Sequence, residues 1–367
     1  MAEKAAEFKV TRGEIYQGNL SDGRRSIINF MKNLSIKFLF IRVFIYGFSI
    51  SAKAQKIVVV ILILLSSTFA FGQVAIDNAE TCEQAFKAKH YEYAVGKCTD
   101  EIELTELALV TAEAIGTAAD RQKHKEKLFT LYFARGYSNM FAPRAYGKGE
   151  KEKFFARSVI DFQECVKIAP NEPMPFYLLG FAQSTALKPE EQITAAKNFS
   201  EAIRLNSTQK DIYYLRGKAY ENYYSTIKTT AERNKGYELA IADYTKSLEL
   251  KQMKFESLTA RKDLYIKMER YKEAIDELNL CIKEFDFTFF YRVELGETYL
   301  KWKKYTESIK QFTELLEGGD EELESSREEI LGFRADAYKS LGKKTEWCKD
   351  KKAIDEDFDC DKEWKKK

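Results

Sequence analysis

Histidine is almost missing from this chain: His90 and His124 are the only two in 367 residues. No Cys-x-x-Cys pair occurs among the six cysteines. A zinc-type centre built from Cys and His is therefore excluded, no cofactor is expected, and both histidines read as solvated surface residues. Proline is nearly as scarce. Its five occurrences all fall between Pro143 and Pro189, so most of the chain is free of the residue that breaks helices. Also absent are a GxxxxGK[ST] phosphate loop, a GxGxxG turn, an HExxH helix and a GxSxG elbow, and with them the commonest routes to phosphoryl, hydride, metal or acyl chemistry. Carboxylate pairs such as Glu190–Glu191 and Glu321–Glu322 lie in helical charge runs. Nothing apolar flanks them to raise a pKa, so they read as solvated faces rather than acid–base pairs. Neither charge sign dominates, the formal net charge being +2. Ten basic and four acidic residues occur through Gly72, leaving 49 basic and 53 acidic in the remainder. A mildly acidic remainder does not suit nucleic acid, which favours a concentrated basic surface.

What is present is hydrophobic material, 45% of residues with 14% aromatic, enough for a large core or a long solenoid. Basic and acidic residues alternate at helical spacing, which predicts an all-α protein with solvated charged faces. The amino-terminal part differs. Residues 1–56 read as an extension containing one short apolar stretch, Phe38 to Ile50, interrupted by Arg42. Residues 57–73 carry the uninterrupted run IVVVILILLSSTFAF, preceded by Lys53 and Lys56 and ending in Ala70-Phe71-Gly72. A positive flank, a short apolar core and small terminal residues predict a secretory signal cleaved near Gly72. The run is shorter than the ~20 residues of a usual spanning helix, which makes a retained membrane anchor the alternative. A start at Met31, cleavage after Ala54, or a two-pass hairpin are other readings of the upstream residues, the last made costly by Arg42. Cys82 comes ten residues after Gly72, too far for lipid attachment to be expected.

The stretch Pro170–Leu205 organises the rest. Phe176, Leu179 and Phe181 put bulky residues around the small Gly180 on a first helix, and Ala195, Phe199 and Ala202 share one face of a second. Pro170 and Pro173 separate this pair from the helix before it. The pattern resembles the tetratricopeptide repeat, with an aromatic, Leu-Gly and Tyr on helix A and Ala-x3-Phe on helix B. Similar units follow and precede it, at Gly136 with Phe162, Gly217 with Tyr244, Lys262 with Leu278, and Gly296 with Phe312. The resemblance implies a right-handed α-α superhelical solenoid of about six repeats over residues 74–344, with a degenerate capping helix and polar tail over 345–367. Long polar connectors are expected at Ala142–Lys153 and Ser225–Lys235, a padding helix at Thr105–Lys125 and a loop at Leu187–Gln192.

In that frame Cys82 and Cys98 occupy facing slots of the first repeat, and Cys348 and Cys360 could pair near the carboxy terminus; both are disulfide candidates in an oxidising compartment. Cys165 and Cys281 read as small buried hydrophobes. The resemblance further implies a concave groove lined by helix A. Its candidate residues are Phe133, Tyr137, Met140, Tyr177 and Phe181 in an aromatic half, then Tyr214, Lys218, Asp263 and Glu297 in a charged half. Tetratricopeptide domains that clamp a partner's terminal carboxylate use Asn with Lys or Arg, whereas the matching positions here are Tyr137, Phe181 and Lys218. The expected function is a non-enzymatic scaffold that binds a protein or peptide outside the cytoplasm, without nucleic acid. The alternative is a membrane-tethered assembly factor for an envelope or secretion complex, its membrane contact being the amino-terminal run alone.

Overall fold

The computed structural model describes residues 81–141, 148–185, 188–286, 288–318 and 323–364. The extension 1–56, the apolar segment 57–73 and the Glu321–Glu322 pair lie outside the described residues. Fifteen helices and no strand are found among those described. Contacts divide the chain into two units, of which the first has only residues 107–122 in the described part. There, Thr117 and Asp120 cap a helix reciprocally: the Thr117 N–H donates to Asp120 Oδ2 at 3.0 Å and the Asp120 N–H to Thr117 Oγ1 at 3.1 Å. The expected padding helix does not exist as a separate element. Its residues end one long helix at Ile115 and begin another at Ala118.

The second unit, described over residues 81–106 and from 123 onward, is a succession of helical hairpins, to which the two long helices that run into residues 107–122 contribute only their parts within those bounds. Helices α1 (Cys82–Lys87) and α2 (Tyr91–Ile115) form the first, then α3 (Ala118–Phe141) with α4 (Lys148–Ile168), and α5 (Pro173–Ser184) with α6 (Pro189–Arg204). The fourth pairs α7 (Ile212–Ser225) with α8 (Thr230–Glu249), the fifth α9 (Lys254–Lys267) with α10 (Tyr271–Glu284), and the sixth α11 (Thr288–Lys301) with α12 (Tyr305–Glu317). The seventh pairs α13 (Leu323–Ser340) with α14 (Lys344–Ile354), and α15 (Cys360–Trp364) follows. From α4 onward each helix packs on its neighbours in sequence, the quasi-one-dimensional order of a solenoid. The polar connectors read from sequence are shorter than expected. Residues Lys148–Lys153 belong to α4 and Thr230–Lys235 to α8, because Lys, Glu and Arg favour a helix even where no apolar residue marks it. The loop expected to reach Gln192 likewise ends at Lys188, the cap of α6.

Within each central hairpin a small residue on helix A meets a ring on helix B. A methyl group at Gly180 would stand 3.0 Å from the Phe199 ring, and one at Gly296 only 2.6 Å from Phe312. These rings are fully buried, so the close approach of the two backbones requires glycine. The fifth hairpin departs from this. Lys262 takes the glycine position, the facing residue is the smaller Leu278, and the lysine extends to Glu294 on the next hairpin. Four A–B turns place one residue in the left-handed region: Lys89, Glu269, Lys303 and Gly342. In each turn the following N–H returns to a carbonyl five residues back, as from Arg270 to Tyr265 at 2.9 Å, which satisfies the end of helix A.

A second repeating interaction joins the hairpins laterally. Immediately before the small position, Arg135, Arg216, Arg261 and Arg334 each reach an acid on helix B of the same hairpin. With aspartate the fork is two-pronged: Arg216 Nε and Nη2 donate to the two Asp243 oxygens at 2.8 and 2.6 Å, and Arg334 does so to Asp350 at 2.8 and 2.7 Å. Each arginine also donates Nη1 to a hydroxyl on helix B of an earlier hairpin: Thr99, Ser200, Thr245 and Thr313, at 3.2, 3.1, 2.9 and 3.1 Å. The third and sixth hairpins carry Leu179 and Leu295 instead. There the acid is replaced by Asn198 or Gln311 and the hydroxyl by Gln163 or Asn279. All three positions therefore change together.

Asp243 is 4% exposed, and removing its arginine strands a buried charge. Arg216→Leu is expected to cost about 3–5 kcal/mol. Adding Asp243→Asn, which copies the leucine–asparagine solution of the third hairpin, is expected to restore most of that. Urea unfolding of both variants checks the coupling; equal losses in the two would count against it.

Candidate functional site

The helix A residues expected to line a groove separate into two groups. Phe133, Tyr137 and Phe141 follow one another at helical spacing on α3 and stack, with ring centroids 6.3 and 4.5 Å apart. Phe129 continues the row at 6.1 Å from Phe133. Phe86 of α1 meets Tyr137 edge-on at 5.5 Å, and Tyr91 of α2 tilts against Tyr137 and Phe141 at 6.2 and 5.9 Å. All of these rings are half-buried. Burial raises the Tyr137 hydroxyl pKa, with a smaller contribution from Tyr91. Phe181 on α5 is half-buried too, 6.5 Å from Tyr177.

Two members of the expected aromatic set belong to the core instead. Met140 is 7% exposed and Tyr177 9%, both within the cluster that joins the second, third and fourth hairpins. The Tyr177 hydroxyl lies 3.0 Å from each Asp211 oxygen and its ring 6.1 Å from Phe199. They fill the seam between stacked hairpins, which a helical wheel of one hairpin does not reveal. Tyr214 leans on Tyr244 at 5.8 Å and is half-buried.

The charged group is internally paired. Lys218 donates to Glu221 at 3.1 Å, and Glu221 also receives Lys267 of the next helix A at 2.8 Å and the Tyr244 hydroxyl at 2.9 Å. Burial alone would raise the Glu221 carboxyl, but Lys267 and Lys218 outweigh it and hold the group below its ordinary 4.5. Asp263 pairs with Lys262 at 2.9 Å, and Lys262, 4% exposed, reaches Glu294 on α11. Burial would lower the Lys262 ammonium pKa, yet Glu294 and Asp263 raise it. Glu297 lies 3.5 Å from Lys301, and burial raises its carboxyl. Lys267 with Glu221 and Lys262 with Glu294 thus tie three successive A helices together. Sequence reading missed Glu221, Lys267 and Glu294. The trace they leave is the lysine in a glycine position, which must find a carboxylate to be buried.

The cysteines are divided likewise. Cys82 is bonded to Cys98 with Cα atoms 4.6 Å apart, and Cys348 to Cys360 at 5.6 Å. Cys165 and Cys281 are buried free thiols. Burial pushes the Cys281 thiol up to about 11 and raises Cys165 as well, so neither has thiolate character at neutral pH. Among the described residues no group of three or more His, Cys, Asp or Glu could hold a metal ion.

No family model matches the sequence. No curated protein matches it either. Among solved structures, the tetratricopeptide domain of P58(IPK) is similar over 78% of this chain and 76% of its own, at 15% identity and a TM-score of 0.28.

Glu221 provides a pH test. A carboxyl whose folded pKa is depressed adds stability above its unfolded value, lost as pH falls through the folded one. Glu221→Gln is expected to lower stability at pH 7 and to flatten its decline below about pH 4.5, read as thermal midpoints across an acid series. The second, third, fourth and sixth hairpins each seat a glycine of helix A beneath a ring of helix B, and with hairpins following one another in sequence order the described residues form an all-α helical-hairpin solenoid that resembles the tetratricopeptide repeat.

Proposed function

We propose that the chain is a scaffold that binds a protein or peptide along its helix A face, through the half-exposed rings of the second and third hairpins. The observation that supports this most is the row Phe133, Tyr137 and Phe141, joined by Phe86 and Tyr91 from the first hairpin. Rings of this kind offer large contact area at low entropy cost and serve as anchors in interfaces. Charged side chains of the later hairpins contribute less direct attraction, since Lys218, Asp263 and Glu297 are already paired within the chain. They supply a polar margin and some orientation for the partner.

Tyr137→Ala with Phe181→Ala removes two half-exposed rings and leaves Tyr177 and its bond to Asp211 in place. Affinity capture from the native host, followed by mass spectrometry, is expected to recover a partner with the parent chain. The double variant is expected to hold it at least about tenfold more weakly, the loss of two anchor residues. Recovery equal to the parent would defeat the assignment of these rings.

The scaffold is further proposed to act outside the cytoplasm. The two bonded cysteine pairs support this, because such bonds persist in oxidising compartments. So does the apolar run of residues 57–71 behind Lys53 and Lys56. That run equally supports a tethered form, an assembly factor held at the membrane. Amino-terminal sequencing of the mature protein decides between them: a start near Gln73 means release, and an intact run means a tether.

A further inference from the structure

The two disulfides differ in their access to solvent. Cys82 and Cys98 are both 0% exposed, bonded between α1 and α2 of the first hairpin. Their sulfurs offer no approach to a reagent while that hairpin stays folded. Cys348 on α14 and Cys360, the first residue of α15, are each half-exposed. Exchange of a disulfide begins when a thiolate reaches one of its sulfurs, so access decides which bond is attacked.

The half-exposed bond also fixes the end of the chain in place. Helix α15 has five residues, Cys360–Trp364, too few for a helix to persist by itself. The bond returns it to α14, where Phe358 and Trp364 close over Trp347 with ring centroids 5.5 and 5.0 Å away. Lys339 stands over the same ring at 5.5 Å, and Trp347 is left 2% exposed. Lys344 pairs with Asp361 as well, but their side chains are 41% and 83% exposed, and an ion pair so wet adds little. With the bond open, holding residue 360 against residue 348 costs chain entropy that the ring contacts and the exposed ion pair must then oppose.

We propose that Cys348–Cys360 is a redox latch: a dithiol reductant opens it in the folded protein, α15 leaves α14, and the Trp347 face is uncovered while Cys82–Cys98 stays closed. The step is thiol–disulfide exchange. One thiolate of the dithiol attacks a sulfur of the pair and displaces the other as thiolate, which leaves a mixed disulfide. The second thiol of the reductant then displaces the remaining protein sulfur. Cys348 and Cys360 together gain two electrons and two protons, and the dithiol departs as its own disulfide. None of the rings on the second and third hairpins takes part, so the latch stands or falls apart from the binding surface proposed there.

The test titrates the full chain with dithiothreitol under native conditions, traps free thiols with N-ethylmaleimide, locates them by peptide mass spectrometry, and follows tryptophan emission in parallel. Cys348 and Cys360 are expected to be trapped at least about tenfold faster than Cys82 and Cys98, with emission moving to the red as they are. Cys165 and Cys281, buried free thiols, are expected to stay unlabelled, which shows that the array remains folded. Cys348→Ser with Cys360→Ser is expected to give the red-shifted emission without reductant. Trapping of Cys82 and Cys98 as fast as the other pair, labelling of Cys165 and Cys281 in step with Cys348 and Cys360, or an opened bond with unchanged emission would each overturn the proposal, as would a double variant with the parent's emission.

Discussion

An arginine placed one residue ahead of the small position on helix A holds two hairpins at once. Its guanidinium grips an acid on its own helix B and a hydroxyl on helix B of an earlier hairpin. The small-residue contact cannot do this, because glycine against a ring only brings the helices of one hairpin together. Stacking of one hairpin on the next needs a group long enough to cross the seam, charged enough to be fixed in direction, and buried enough to exclude water. Arg216 and Arg334 meet these conditions, with acids that are 4% and 2% exposed. Burial raises the Asp161 and Asp243 carboxyls while the arginines oppose it, so each acid depends on its partner. The arrangement is all-or-none: where leucine replaces arginine, in the third and sixth hairpins, the acid and the hydroxyl are both gone. A half-satisfied version would bury an unpaired charge.

The third and sixth hairpins, where leucine takes the arginine position, are held differently. The third relies on apolar contact, with Met140, Tyr177 and Leu178 in a continuous cluster that reaches Ile212 of the fourth. The sixth has Lys262 reaching forward to Glu294 from the fifth, while Phe289 and Phe312 pack toward Leu323 and Ile330 of the seventh. These alternatives explain how the surface is distributed. Where stacking uses rings, parts of the rings remain at the surface, and the second and third hairpins present Phe133, Tyr137 and Phe181. Where it uses lateral salt bridges, the surface presents charges that are already neutralised, as between Lys267 and Glu221.

Much of this was legible without coordinates. Glycines and aromatics recurring at fixed separations announce paired helices, and Cys82 facing Cys98 follows from their slots. Other features were written in the sequence but not readable alone. Arg216, Ser200 and Asp243 are separated by 16 and 27 residues, and their joint presence means nothing until the register of the hairpins aligns them. Polarity misled at Lys148–Lys153 and Thr230–Lys235, since charged residues that favour helices by propensity alone carry no apolar stripe to mark them.

The order of helices and the residues that seat each hairpin were determined by the sequence itself, because both depend on contacts a few residues apart or across one short turn. Which rings face outward was decided only by the tertiary structure. Tyr177 and Phe181 sit one turn apart on a single helix, yet one is core, bound to Asp211 of the next hairpin, and the other is half-exposed. Exposure at these positions is set by the neighbouring hairpin, and no periodicity within one helix encodes where that neighbour lies.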